Sequence, residues 1–208
     1  MFRVPIRFIA GFIFLAAIIT PANANIPDDC NIPQSLIADI RLMLTAEDNQ
    51  LFDLWTNEEV FCACAIIYYT DPPDADFHDR VMNSAVIRIG KTGDPRAVAV
   101  LIDAIETHPH QALYALGDYR TPEALRALTT RVSDPDGSIR ENAAEGLRNM
   151  LAPAIIPDGW IDAISDAIAA VDEWLDKEPD WDVKEYFVDA KVNLEDLLKK
   201  AQATAGTN

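Results

Sequence analysis

One pattern recurs along this chain at a single phase and limits what it can fold into. Ile89-Gly90 is followed, after four residues, by Pro95-Arg96-Ala97-Val98, and Leu116-Gly117 is followed at the same spacing by Pro122-Glu123-Ala124-Leu125. At this offset of 27 residues Leu101 aligns with Leu128, and Ile105 with Val132. Ala85, Ala112 and Ala143 each stand four residues before Ile89, Leu116 and Leu147, and Pro153 follows Leu147 by six residues, as Pro95 and Pro122 follow theirs. Each position has a physical role. Proline is tolerated in the first turn of a helix, glycine suits the end of the preceding one, and alanine lets paired helices approach closely. A unit this short cannot bury its apolar face alone, so copies must stack. The expected fold class is all-α, built on an array of helical repeats.

Outside the repeat the apolar spacing is also helical. Leu36, Ile37, Ile40 and Leu44 predict a helix over 35–44, and further helical segments are expected over 51–55 and 59–69, with Thr56 or Asn57 as cap. Asp71-Pro72-Pro73 stops that run, because proline lacks an amide hydrogen and restricts its predecessor. Near the C-terminus, Ile161, Ile164, Ile168, Val171 and Leu175 form one stripe, and Val183, Phe187, Ala190, Leu194 and Leu197 form a second. These two helices are expected to cap the last repeat, with a partner-binding helix pair as the alternative. Period-2 alternation, the mark of a half-buried strand, is not convincing anywhere.

The first 24 residues are set aside before the fold. Arg3 and Arg7 precede an unbroken apolar run from Phe8 to Ile19, and Ala22-Asn23-Ala24 supplies a small-x-small end. This describes a secretory signal peptide cleaved after Ala24. The expected location is therefore periplasmic or extracellular. The expected divisions are the leader over 1–24, an acidic helical cap over 25–76, repeats over 77–153, a helical cap over 154–202 and a disordered tail over 203–208. No later stretch is long and apolar enough for a membrane span. Export places Cys30, Cys62 and Cys64 in an oxidising compartment, where one pair can bridge. Cys62 and Cys64 lie on different faces of one helix, so Cys30 is expected to pair with one of them. The third thiol is expected to be buried and inert.

Charge narrows the class of partner. The chain has 17 Lys+Arg against 34 Asp+Glu, a formal charge of −17. Loss of the leader removes two arginines and leaves −19. A surface this acidic is unsuited to phosphate neutralisation, and nucleic acid is not an expected partner. The acidity is uneven. Residues 25–76 hold 11 acids and one base, residues 151–208 hold 13 acids and five lysines, yet residues 77–150 hold 10 acids and nine bases. Eight arginines fall in that repeat core. Two readings follow: a ladder of pairs between neighbouring repeats, with Arg140 against Asp134 or Asp136 as a member, or a basic strip for an acidic partner. Arg88, Arg96, Arg126 and Arg131 are the candidate partner-binding residues on the second reading.

Catalytic signatures are thin. G-x-S-x-G and G-x-x-x-x-G-K-[ST] are both missing from the sequence. His108-Pro109-His110 with Glu106 offers two possible ligands, but proline at a helix hairpin is ordinary. The Asp134-x-Asp136-Gly137-Ser138 run has no acid at the bidentate calcium position. No catalytic residue, metal set or cofactor is expected.

The segments GDPRAVAVLIDAI and TPEALRALTTRVSDPDGSIRENAAEGL, with the repeated Leu/Ile-Gly ends, resemble HEAT-like repeats, in particular the short type found in phycobilisome lyases. The turn from Asp134 to Arg140, followed by Ala143-Ala144 and Leu147, is most similar to that type. The resemblance implies an all-α fold, a curved HEAT-like α-solenoid of stacked antiparallel helix pairs with one concave face and flanking capping helices; it does not imply lyase activity. The expected function is a non-enzymatic protein–protein interaction module of the cell envelope, with a protein or peptide partner. The alternative is a lyase-like enzyme or accessory factor acting on a protein substrate.

Overall fold

The computed structural model describes residues 26–46, 51–72 and 77–205. The predicted leader lies outside them, as do the last three residues of the predicted tail. The described residues form nine α-helices and no strand: α1 (Gln34–Ala46), α2 (Asn57–Thr70), α3 (His78–Lys91), α4 (Ala97–Ala104), α5 (Pro109–Leu116), α6 (Pro122–Thr129), α7 (Gly137–Asn149), α8 (Trp160–Leu175) and α9 (Trp181–Ala205). A 3-10 turn, Leu51–Leu54, precedes α2. The chain is an all-α, HEAT-like solenoid.

Local chemistry sets the helix starts. Thr56 caps α2 through a reciprocal box: its hydroxyl accepts from the Glu59 amide, and the Glu59 carboxylate accepts from the Thr56 amide. Thr121 caps α6 in front of Pro122, and Asp136 caps α7 by accepting from the Ser138 amide. The aligned prolines differ in use. Pro122 opens α6, Pro95 lies in the turn before Ala97, and Pro153 opens no helix because the chain stays irregular until Trp160. At the far end α9 continues to Ala205, so residues 203–205 are helical rather than part of a disordered tail.

The helices stack in two layers. α1, α3, α5, α7 and α9 are successive neighbours in one; α4, α6 and α8 form the other, and α2 covers α1 and α3. Ala85, Ala112 and Ala143 are fully buried between the layers, with Ile89, Leu116 and Leu147. Close approach within the first layer depends on small residues. A Cβ on Gly90 would lie 2.5 Å from the Ala115 Cβ, and one on Gly117 only 2.9 Å from the Gly146 Cα. α4 and α6 meet far less extensively. α6 and α8, by contrast, pack about as closely as α5 and α7. The layer of α1, α3, α5, α7 and α9 is the inner layer and that of α4, α6 and α8 the outer.

Both ends are tied down. Cys30 and Cys62 form a disulfide that joins the segment before α1 to α2. Cys64 remains a buried free thiol, and burial pushes its pKa up to about 12. At the other end Arg140 of α7 meets Glu178, in the turn between α8 and α9, at 2.6 Å. Asn193 of α9 donates to the carbonyls of Leu147 and Met150, satisfying the open end of α7.

Candidate interaction face

The inner layer presents one repeat position to solvent in successive copies. Ile87 on α3 is 38% exposed and Tyr114 on α5 is 54% exposed, 27 residues apart in the same phase as Ile89 and Leu116. In the next copy that position is Glu145, which lies 3.7 Å from Arg148. An apolar, aromatic ridge therefore crosses the middle of the inner face. Other apolar residues are more exposed, among them Leu42, Leu54, Ile155 and Trp181, but Ile87 and Tyr114 share a repeat position.

Chemistry changes along that ridge. Beyond Tyr114, α7 and α9 enclose a cavity of about 410 Å³ lined by Glu141, Arg148, Asp182, Glu185, Tyr186 and Asp189. Its one cation is occupied. Arg148 stacks 4.7 Å over the Tyr186 ring and lies 3.8 Å from Asp189. Beyond Ile87, a second cavity of about 340 Å³ lies between α1, the 3-10 turn and α3, and carries Arg88 and Lys91. Among the described lining residues, the first cavity carries four acids and one arginine, and the second carries Arg88 and Lys91.

The four arginines singled out from the sequence are not brought together. Arg88 is on α3, with its guanidinium 4.1 Å over the Phe52 ring. Arg96 precedes the first turn of α4, where it bridges Asp94 and Asp29, both at 2.6 Å, and stacks over Phe61. Hydrogen bonds from Arg96 hold the Asp94 carboxyl below its ordinary range. Arg131 follows the last turn of α6 and pairs with Glu106 and Asp134. Arg126 stands exposed on α6, beside Gly159. Arg96 and Arg131 mark opposite ends of the α4–α6 layer, away from the inner face. Acids account for both: Asp94 in the same turn and Asp29 before α1 for Arg96, Glu106 and the nearby Asp134 for Arg131. The partner of Arg140 differs from the one expected: it takes Glu178 and the backbone carbonyls of Asp134 and Pro135, not the Asp134 or Asp136 carboxylates.

The histidines serve three local roles. His78 and Arg41 both bond the buried Asp71 carboxylate, at 3.1 and 2.5 Å. Burial pulls Asp71 up, but the bonds from Arg41 and His78 outweigh it and lower its pKa. His108 packs edge-on against Tyr68 and bonds Thr107, and burial lowers its pKa. His110 bonds Asn142 across α5 and α7. Among the described residues no group of three or more His, Cys, Asp or Glu is placed to hold a metal ion. The Asp134-x-Asp136 run is a capping turn.

Sequence reasoning passed over Glu178, whose only signal was its place after a helix end, and both cavities, which exist only once α1 meets α3 and α9 meets α7. Comparison with known proteins agrees with the repeat architecture. A family model for HEAT repeats matches residues 106–190. The match begins after α4 and takes in α8 and the first part of α9, beyond the last aligned proline. No curated protein and no solved structure matches the chain.

Proposed function

We propose that this HEAT-repeat chain is a non-enzymatic scaffold of the cell envelope that holds a protein partner along the inner face of α3, α5, α7 and α9. The observation that carries the reading is Ile87 and Tyr114, exposed at one repeat position on neighbouring helices of the inner layer. HEAT-like arrays use such continuous surfaces for protein binding. Export is supported by the leader-like first 24 residues and by the Cys30–Cys62 bridge, since structural disulfides persist in oxidising compartments. Among the described residues no helix is long and apolar enough to cross a membrane. Within its class we place the chain with the short, phycobilisome-lyase-type repeats, on the turn from Asp134 to Arg140.

The experiment is co-purification from envelope extract with the wild type and with an Ile87→Ser/Tyr114→Ser double variant. Both side chains are exposed, so the variant keeps the fold. A partner retained by the wild type and lost by the variant is expected. Identical partner sets from both proteins would overturn the assignment of this face.

A further inference from the structure

The C-terminal helices have two roles open to them, a cap on the last repeat and a partner-binding pair, and α9 has a face for each. Val183, Phe187, Ala190 and Leu194 are buried on the side that packs on α7 and α8. On the opposite side of the same helix stand Trp181, Val188 and Val192, 73%, 46% and 64% exposed. Other apolar side chains are exposed too, but these three share one face of one helix. A terminal cap keeps an array soluble by turning a polar side outward, so an apolar stripe there is at odds with a cap alone. Beside the stripe, on the side of α7, runs a row of acids at helical spacing: Asp182, Glu185, Asp189 and Asp196. The first three also line the cavity of about 410 Å³ between α7 and α9, with Glu141 and Tyr186. Asp189 has Arg148 at 3.8 Å and Asp196 has Lys200 at 2.5 Å. Glu141, Asp182 and Glu185 make no ion pair among the described residues.

A stripe of large apolar groups beside uncompensated acids fits a segment with apolar residues on one side and cations next to them. Backbone chemistry narrows its form. The amides and carbonyls in the middle of α9 are used within the helix, so an extended segment laid on it would find no backbone partner. A helix brings its own backbone bonds already made and meets α9 side chain to side chain. From Trp181 to Val192 the stripe covers about 16 Å at ~1.5 Å per residue, roughly three turns. We infer that the free face of α9 docks a basic amphipathic helix of a partner protein. Its apolar side chains pack on Trp181, Val188 and Val192, and its Lys or Arg side chains meet Asp182 and Glu185 and reach Glu141 across the cavity. The site lies beyond the Ile87–Tyr114 ridge and does not depend on it. A second copy of this chain is the poorer occupant, because it would bring a formal charge of −17 and the same acids to this face.

The test measures binding to the full chain of a fluorophore-labelled peptide of Leu and Lys, with Leu at i, i+3, i+4 and i+7. A peptide of the same composition in scrambled order is the control. The amphipathic peptide is expected to bind about tenfold tighter than the scrambled one, and Val188→Ser/Val192→Ser should remove about that factor. Glu141→Gln/Glu185→Gln should weaken it about fivefold at low salt and less at high salt. Val188 and Val192 are exposed and the two acids are unpaired, so both variants should keep the wild-type thermal midpoint. Equal binding of the scrambled peptide, or unchanged affinity in either variant, would overturn the inference. Binding lost in Ile87→Ser/Tyr114→Ser instead would move the peptide to the inner-face ridge, overturning this site while leaving that face standing. Sedimentation velocity addresses the other occupant. A wild-type dimer dispersed by Val188→Ser/Val192→Ser would give the face to a second copy and overturn the inference; a monomer across the concentration range is expected.

Discussion

The two ends of this array are closed by different means. At the N-terminal end a covalent bridge, Cys30–Cys62, fastens a short segment and α1 to the long buried face of α2. At the C-terminal end two long helices bring their own apolar stripes, and the fixing point is a buried ion pair, Arg140–Glu178. The difference follows from how much apolar surface each end can bury. The α8–α9 pair seals Trp160, Ile164, Val171, Phe187 and Leu194 completely, so hydrophobic burial supplies its adhesion. The ion pair there selects one docking register. α1 offers only Leu36, Ile40 and Leu44, and a cross-link makes up the deficit by restricting the unfolded chain. Stacked repeats always leave an open apolar face at each end, and this chain shows two solutions to that problem.

The sharpest way to break the comparison is Arg140→Leu. It leaves the Glu178 carboxylate buried without its cation, and the expected loss is about 3–5 kcal/mol in chemical denaturation. The double change with Glu178→Gln should recover most of that loss. Loss no larger than that of an exposed salt bridge, under about 1 kcal/mol, would show that the pair does not fix the C-terminal end. The same pair predicts a pH response. Hydrogen bonding from Arg140 lowers the Glu178 pKa in the folded state, so its contribution is present above the unfolded glutamate value and fades as pH falls through the folded value. The Glu178→Gln variant should therefore lose less stability than the wild type between neutral and acid pH.

Opening the bridge tests the other end. Cys30→Ser removes a loop closure over a sequence separation of 32 residues, for which chain entropy gives about 3–4 kcal/mol. Dithiothreitol should lower the wild-type midpoint by a matching amount and leave the variant unmoved. An unchanged stability would mean that α1 is held by packing alone. The leftover thiols also separate: Cys30→Ser frees Cys62, while Cys64, buried and with its pKa near 12, should react with iodoacetamide only after unfolding.

Much of this contrast was legible in the residues and some was not. Cys30 had to bridge to the 62–64 pair because neighbouring positions on a helix point apart, and the choice of Cys62 came only with the packing of α2. The helices over 160–175 and 181–205 were plain from their stripes, because a 3.6-residue period survives any tertiary context. Pairing partners were not legible. Glu178 lies 38 residues from Arg140, and nothing in a charge count distinguishes it from the other 12 acids of the C-terminal segment. The inner-face ridge had a signal that went unused: positions 87 and 114 share a repeat phase, and both are large and apolar where a solvent-facing helix position should be polar. Of the candidate arginines, Arg88 lies on the inner layer, while Arg96 is matched by Asp94 and Asp29 and Arg131 by Glu106 and Asp134, pairings a charge count does not reveal.

The smallest effect tests whether the two ends are joined. Between them the inner layer is continuous, and α5 meets α7 where Gly117 faces Gly146. In a repeat array, an end communicates with the rest only through such nearest-neighbour contacts. A methyl at Gly117 would sit 2.9 Å from the Gly146 Cα and 3.0 Å from its carbonyl oxygen, both backbone atoms that cannot swing aside. Gly117→Ala is therefore expected to cost about 1–3 kcal/mol, as overpacking does. Its place matters more than its size. Weakening this joint should lower the denaturant slope and split unfolding into two phases, one abolished by Arg140→Leu and the other moved by dithiothreitol. A single sharp transition in Gly117→Ala, merely shifted, would mean that the ends are coupled through the outer layer of α4, α6 and α8 instead. The difference between bridge and ion pair would then describe two fastenings on one cooperative unit, not two separately closed ends.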